Sequence, residues 1–416
     1  MSLSDRGASR RGFLGGALTG AAGAALVAGT RAEATPLAAD AEPFFGPHQA
    51  GIATPAQLHT YFAAFDLTTE TRADLARLFQ AWTEAAARLT LGRSVPGDGS
   101  GAPFDTADVA GLSPSRLTIT FGFGPGLFVK DGKDRYGLAA RRPAAFVDLP
   151  MFKGDQLIPE RTGGDLSVQA CADDAQVAFH AVRELARLAD GIAQLRWSQT
   201  GFVGAFQPGE TPRNLMGFKD GTRNPAATDA PVMQEHIWVG PEGGDWMVGG
   251  SYLVARPARI SLEHWDRMKL AFQEQSMGRR KMSGAPIGKS NETDTPDFEA
   301  TDADGNPVIA ETAHIRLAAR EQNNGAQMLR RSYSYNNGLS FVAERWPPWR
   351  QGMAFDAGLL FVCYQRDPRR AFIPMFDRMS RFDMMNQFVT HIGGGLFACP
   401  GGIRKGEFLG QRLLAA

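Results

Sequence analysis

The chain has 416 residues, 44 Lys+Arg against 44 Asp+Glu, and 43% hydrophobic content. That apolar share excludes a disordered chain, the zero net charge excludes a dedicated nucleic-acid binder, which must neutralise phosphates, and the length predicts two or three domains. Three cysteines (Cys171, Cys363, Cys399) are too few for a disulfide framework or a four-thiolate zinc site, and CxxC, CxxCH and HExxH are all absent.

In chain order, Ser9-Arg10-Arg11-Gly12-Phe13-Leu14 is a twin-arginine pattern, followed by an uncharged Gly/Ala-rich run from Gly12 to Thr30. Weak hydrophobicity beside two arginines predicts a twin-arginine export signal over 1–34 rather than a membrane anchor. Cleavage after Ala32-Glu33-Ala34 or after Ala39-Asp40-Ala41 then gives a soluble, extracytoplasmic or periplasmic protein. This route carries folded passengers, so a cofactor acquired before export is expected.

Residues 54–91 read as helix, broken near Asp66-Leu67-Thr68, with Thr68 or Thr69 as N-cap of its second part. A polar loop over 92–115 leads to a strand at 117–121 and a Gly-Phe-Gly-Pro-Gly turn. A strand at 166–170, an amphipathic helix over 173–192 and a strand at 195–199 complete the first half. The second half repeats the theme. It has a strand at 250–256, a helix over 261–275 capped by Ser261, a turn-rich stretch over 283–308 and strands at 339–342 and 358–364. A Met- and Phe-rich helix over 374–390 then stops before Gly393-Gly394-Gly395. Strands followed by single helices in both halves predict two α+β sandwich domains, divided within 205–248. Trp346-Pro347-Pro348-Trp349 reads either as a surface aromatic site or as packing.

Three short stretches offer chemistry. Met216 to Pro225 (Met-Gly-Phe-Lys-Asp-Gly-Thr-Arg-Asn-Pro) makes a tight turn in which Asp220 either caps the backbone or faces a flat ligand that the glycines admit. In Glu311-Thr312-Ala313-His314-Ile315-Arg316-Leu317, His314 is either a satisfied core histidine or an iron ligand strengthened by a carboxylate on its other nitrogen. Met328 to Tyr335 alternates as a strand does, which sends Arg330 and Arg331 to opposite faces, one inward and one solvated. An inward arginine needs a carboxylate, a propionate or a peroxide oxygen. The basic cluster Arg279-Arg280-Lys281 reads as a solvated loop, and His391 as a helix-terminal residue that complements the dipole.

Together and in this order, these stretches resemble the dye-decolourising peroxidases, and more narrowly their exported deferrochelatase/peroxidase branch linked to ferrous-iron uptake. The resemblance runs from Pro43-Phe44-Phe45-Gly46-Pro47-His48-Gln49-Ala50-Gly51-Ile52 to Ile392-Gly393-Gly394-Gly395. It implies two ferredoxin-like α+β domains, over 43–213 and 214–416, with one non-covalent haem b held mainly by the second. It assigns His314 as the proximal iron ligand, Asp220 as the acid of a GxxDG motif and Arg330 as the distal arginine, with Arg331 as fallback. Gly221, Thr222, Arg223 and Arg320 are implied haem contacts, and Asp367 the carboxylate partner of His314. The chain departs from the family pattern at Ala319-Arg320, where relatives read Asn-Pro-Arg, at Ser332, and in a short interval between His314 and Arg330.

The activity implied is reduction of hydrogen peroxide through a ferryl intermediate, with oxidation of bulky or small aromatic donors by way of surface Tyr or Trp residues. Two rivals share the pocket: release of iron from haem with the porphyrin intact, and haem or iron carriage without turnover. A homodimer, iron-uptake components as partners and no nucleic acid complete the expectation.

Overall fold

The computed structural model of the protein describes residues 39–96, 105–207, 209–343 and 351–415. The expected leader over 1–34 and the Trp346–Trp349 run lie outside them. The first half contains α1 (Ala50–Ala53), β1 (His59–Leu67), α2 (Arg72–Leu89), β2 (Thr118–Phe123), β3 (Leu166–Ala172), α3 (Ala175–Leu188) and β4 (Ala193–Phe202). The second begins with α4 (Ala230–His236), β5 (Ser251–Ile260), α5 (Leu262–Asp266), α6 (Leu270–Met277) and α7 (His314–Leu317). It continues with β6 (Leu329–Arg330), β7 (Tyr333–Ala343), β8 (Gln351–Gln365), α8 (Phe372–Phe382), β9 (Val389–His391), β10 (Gly395–Cys399) and α9 (Gln411–Leu414).

β1 to β4 pair antiparallel in the order β4-β1-β3-β2, with α2 and α3 as crossovers, a ferredoxin-like arrangement. The second half repeats it as β7-β8-β5-β10, with β6 added to β8 and β9 to β5. Both sheets also touch edge to edge. Phe202 of β4 pairs with Ser334 of β7, and Phe123 of β2 with Ala398 of β10, so pairing closes into a cycle. Glycine permits both seams: a Cβ on Gly201 would lie 2.6 Å from Tyr333 Cβ, and one on Gly122 2.8 Å from Phe397 Cβ.

Alternation along the strands sorts side chains into layers. Ala63 and Phe65 of β1 join the core under α2 and α3, to which those helices contribute Leu75, Leu78, Trp82, Val177 and Leu185. Phe62 and Ala64 point the other way, into the space between the sheets, with Leu253, Leu360, Val362 and Phe397. Cys171, Cys363 and Cys399 are buried and free. Among the described residues no helix is long and apolar enough to cross a membrane.

Three elements differ from the sequence expectation. The stretch read as a helix from 54 is strand β1 from His59 to Leu67; held between β3 and β4 and buried on both faces, its apolar run carries no period-two signature. Helix α2 follows only after Thr71, whose side chain accepts from Asp74 N at 3.2 Å. The helix expected over 261–275 is broken into α5 and α6, Gln273 Nε2 donating to Trp265 O at 2.9 Å, and Ser261 makes no side-chain cap. The helix expected over 374–390 ends at Phe382, because Asp383 adopts extended backbone and caps a 3₁₀ turn at Met384–Gln387.

Gly201→Val forces a side chain into the β4–β7 seam and is expected to cost about 1–3 kcal/mol. The urea midpoint should fall with the m-value unchanged; an unchanged midpoint would show that the seam has room.

Candidate active site

The Asp220 turn is held from both sides. Asp220 N donates to Pro212 O at 2.8 Å, and Asn214 Nδ2 reaches Asp220 Oδ2 at 3.5 Å. Gly221 has φ +123°, a conformation that excludes a side chain at that position. Glu292, from the turn-rich stretch after α6, accepts from Lys219 Nζ, from Thr211 Oγ1 and, at 2.9 Å, from Thr222 Oγ1. Burial opposes ionisation of Glu292, but Lys219 and the two hydroxyls outweigh it and hold its carboxyl below the ordinary range.

Arg330 ends β6, in register with Cys363 of β8. Asn224 clamps its backbone: Arg330 N donates to Asn224 Oδ1 at 2.8 Å, and Asn224 Nδ2 donates to Arg330 O at 2.9 Å. The side chain thereby faces Asp220, Nη1 donating to Oδ1 at 3.3 Å. Arg331 does point to the opposite face, as alternation requires, but it is not solvated. It is buried between the sheets, donating to Thr54 O and Gln57 Oε1. It does not line the cavity and is no substitute for Arg330.

His314 opens the one-turn helix α7 and places Nδ1 2.7 Å from Asp383 Oδ2. The Asp383 side chain is 3% exposed, and its Oδ1 accepts from Met385 N at 2.8 Å. With Nδ1 committed to the carboxylate, the Nε2 lone pair is the one left for a ligand. The carboxylate partner is therefore Asp383, not Asp367. Asp367 lies two residues beyond β8, where it pairs with Arg369 at 2.7 Å and accepts from Arg369 N at 2.9 Å. Helix α8 separates the two acids and returns the chain to His314.

Asp220, Gly221, Thr222, Arg223, His314, Arg320 and Arg330 all line one cavity of about 350 Å³. Part of its wall is apolar: Ile260 of β5, Leu359 and Phe361 of β8, Phe372, Met375 and Phe376 of α8. At the rim Glu321 accepts from Arg223 at 3.0 Å and from Arg320 at 3.4 Å. Arg279, assigned from sequence to a solvated loop, is 5% exposed and lines the cavity, its side chain donating to the carbonyls of Gly284 and Glu292. Burial, then Arg223 and Arg330, push its pKa below the ordinary value against the pull of Glu292. Three guanidinium groups thus crowd one wall. His391 also lines the cavity: it sits in β9 rather than at a helix end, edge-on to Phe376, and burial and Arg256 push its pKa well down, so the ring is neutral.

These residues fit haem. A cavity with an apolar side, an imidazole whose Nε2 is left for a ligand, and more arginines than carboxylates match an iron porphyrin with two acidic arms. Fold and site together define a haem-dependent oxidoreductase. Residues 49–203 match the Dyp-type peroxidase N-terminal model and 211–404 the C-terminal one, and the chain belongs to the Dyp-type peroxidase family. It is 39% identical to a dye-decolorizing peroxidase of Thermobifida fusca, the match covering 98% of each chain. It is 37% identical to a deferrochelatase of Escherichia coli, covering 98% of this chain and 97% of that one. A crystal structure of a DyP-type peroxidase from Streptomyces coelicolor, 42% identical, superposes with a TM-score of 0.82 over 92% of this chain and all of that one. The protein is a haem peroxidase, acting on a peroxide and an electron donor.

Burial alone would lower the pKa of His314; the Asp383 carboxylate, and then Asp220, outweigh it and raise the value above the ordinary 6.5. Without haem, the charged ring contributes its full stability below about pH 6.5 and loses it as pH rises through the raised folded value. A metal ligand must be the neutral ring, so haem held through His314 would bind more tightly as pH rises over the same interval. Urea unfolding of haem-free protein should show stability falling across neutral pH, with a flatter profile in Asp383→Asn. Equal slopes in both would remove the ion pair as the cause.

Proposed function

We propose that the oxidant is hydrogen peroxide and that it is cleaved between His314 on one side of the cavity and the Asp220–Arg330 pair on the other. The observation that carries this reading is the 3.3 Å contact of Arg330 Nη1 with Asp220 Oδ1, facing the same cavity as the Asp383-oriented His314. Haem, when bound, supplies the electrons that break the O–O bond and the oxidising power passed on to donors. His314 holds it, Arg223, Arg279 and Arg320 offer charge to its carboxylates, and Ile260, Leu359 and Phe361 exclude water from its faces. Asp220 moves a proton from one peroxide oxygen to the other as general acid–base. Arg330, permanently charged, stabilises negative charge as the bond breaks. The donors are aromatic, bulky dyes among them.

The same proposal takes the protein out of the cytoplasm by the twin-arginine route, supported by Arg10-Arg11 and the uncharged run to Thr30. A homodimer and iron-uptake components are proposed partners on the strength of the family resemblance.

His314→Ala is expected to lose most of its haem. Arg330→Leu should keep haem while its stopped-flow reaction with peroxide slows by about 10²–10³-fold, and Asp220→Asn should slow the same step by less. Tight haem in the first variant, or wild-type rates in the other two, would overturn the assignments. Iron-free porphyrin as the product, with no donor oxidised, would replace the peroxidase role by iron release.

A further inference from the structure

Away from the cavity, helix α3 carries an unusual pair. Most of its buried positions are apolar, Val177, Ala181, Val182 and Leu185 among them, yet His180 and Glu184, one turn apart, are as buried as those. The segment just ahead of β2 brings Asp105 and Asp108 against them. His180 Nδ1 lies 2.7 Å from Asp108 Oδ1, which fixes the ring and directs Nε2 the other way. Nε2 has no hydrogen-bond partner among the described residues, although the side chain is only 2% exposed. It lies 3.4 Å from Asp105 Oδ2 without bonding to it.

A buried ring nitrogen left without a partner is destabilising, so the direction of this lone pair calls for an explanation. One ligand atom each from Asp105, His180 and Glu184 lie within 4.8 Å of one another, so that a shift of a few tenths of an ångström brings them within the ~4.4 Å that opposite ligands can span with bonds of about 2.0–2.2 Å. The carboxylates are already oriented. Asp105 Oδ1 accepts from Ala107 N and Oδ2 from Val95 N, each at 2.8 Å. Glu184 Oε1 accepts from Thr106 N at 3.0 Å and Thr106 Oγ1 at 2.8 Å, and Oε2 accepts from Arg187. The local charge is three carboxylates against Arg187 on Glu184 and Arg183, 3.4 Å from Asp108, an excess of one negative charge when the imidazole is neutral.

We propose that Asp105, His180 and Glu184 bind a divalent first-row transition ion of the zinc type, with Asp108 orienting the histidine. One imidazole and two carboxylates are a donor set that suits Zn²⁺ better than Ca²⁺ or Mg²⁺, which take oxygen only. A carboxylate on the far ring nitrogen is the usual companion of such a histidine. None of the four residues lines the haem cavity. The ion is thus structural: it clips the segment 105–108 to α3, on the helix side of the first sheet. The rival is a protonated His180 bridging Asp105 and Asp108 with no metal.

The test uses full-length holoenzyme, stripped with chelator and titrated with Zn²⁺ by calorimetry, with X-ray absorption at the zinc edge, where haem iron does not interfere. One equivalent per chain should bind in a nitrogen/oxygen shell containing one imidazole and should raise the unfolding temperature. Asp108→Asn should weaken binding by about 10–100-fold, and His180→Gln, checked for folding by its retained haem spectrum, should abolish it. Absence of stoichiometric zinc, a shell without imidazole, or equal binding by His180→Gln would overturn the site in favour of the bridging imidazolium. If His180→Gln fails to fold, the absorption spectrum of the unmutated protein decides alone.

Discussion

His314 Nδ1 stands 2.7 Å from Asp383 Oδ2, and the proximal half of the cavity depends on that approach. A carboxylate only 3% exposed is tolerable because it accepts from both Met385 N and the imidazole. The same residue ends α8, since its side chain is worth more as the cap of the following turn than as another helical position. One aspartate therefore terminates a helix, starts the return to β9 and orients the His314 ring that lines the cavity. The packing of Phe372 on Phe361 ties α8 to β8, so the histidine inherits its position from the sheet.

The distal half depends on a backbone clamp. Asn224 meets both the N–H and the carbonyl of Arg330, so the tight turn that carries Asp220 and the strand that carries Arg330 cannot move apart independently. Glu292 holds the other end of that turn through Lys219 and Thr222. Crowding of Arg223, Arg279 and Arg330 leaves one wall with more positive charge than its carboxylates offset. Such a wall is stable beside an anionic ligand, which a porphyrin with two carboxylates provides.

Much of this was legible from residue order. The alternation of Met328 to Tyr335 sends Arg330 and Arg331 to opposite faces, and it does so in the structure. The glycines around Asp220 announce backbone that a side chain would forbid, as the φ of Gly221 bears out. Other features had no local signal. Asp383 lies 69 residues from His314, and nothing near it distinguishes it from Asp367, which stands closer to the apolar strand. Arg279 sits among Arg280 and Lys281, and only the fold turns it inward while its neighbours meet Glu274 and Gln273. Strand β1 was hidden for a different reason: with both faces buried, its apolar residues do not alternate with polar ones.

The central claim is that His314, held by Asp383, is the ligand on which the haem chemistry of this chain turns. Resonance Raman spectroscopy of the ferrous holoenzyme tests it most directly. An iron–histidine stretch should be present in the unmutated protein, absent in His314→Ala, and lower in frequency in Asp383→Asn, where the ring loses its anionic partner. A stretch that persists in His314→Ala, or that is unmoved in Asp383→Asn, would contradict the account.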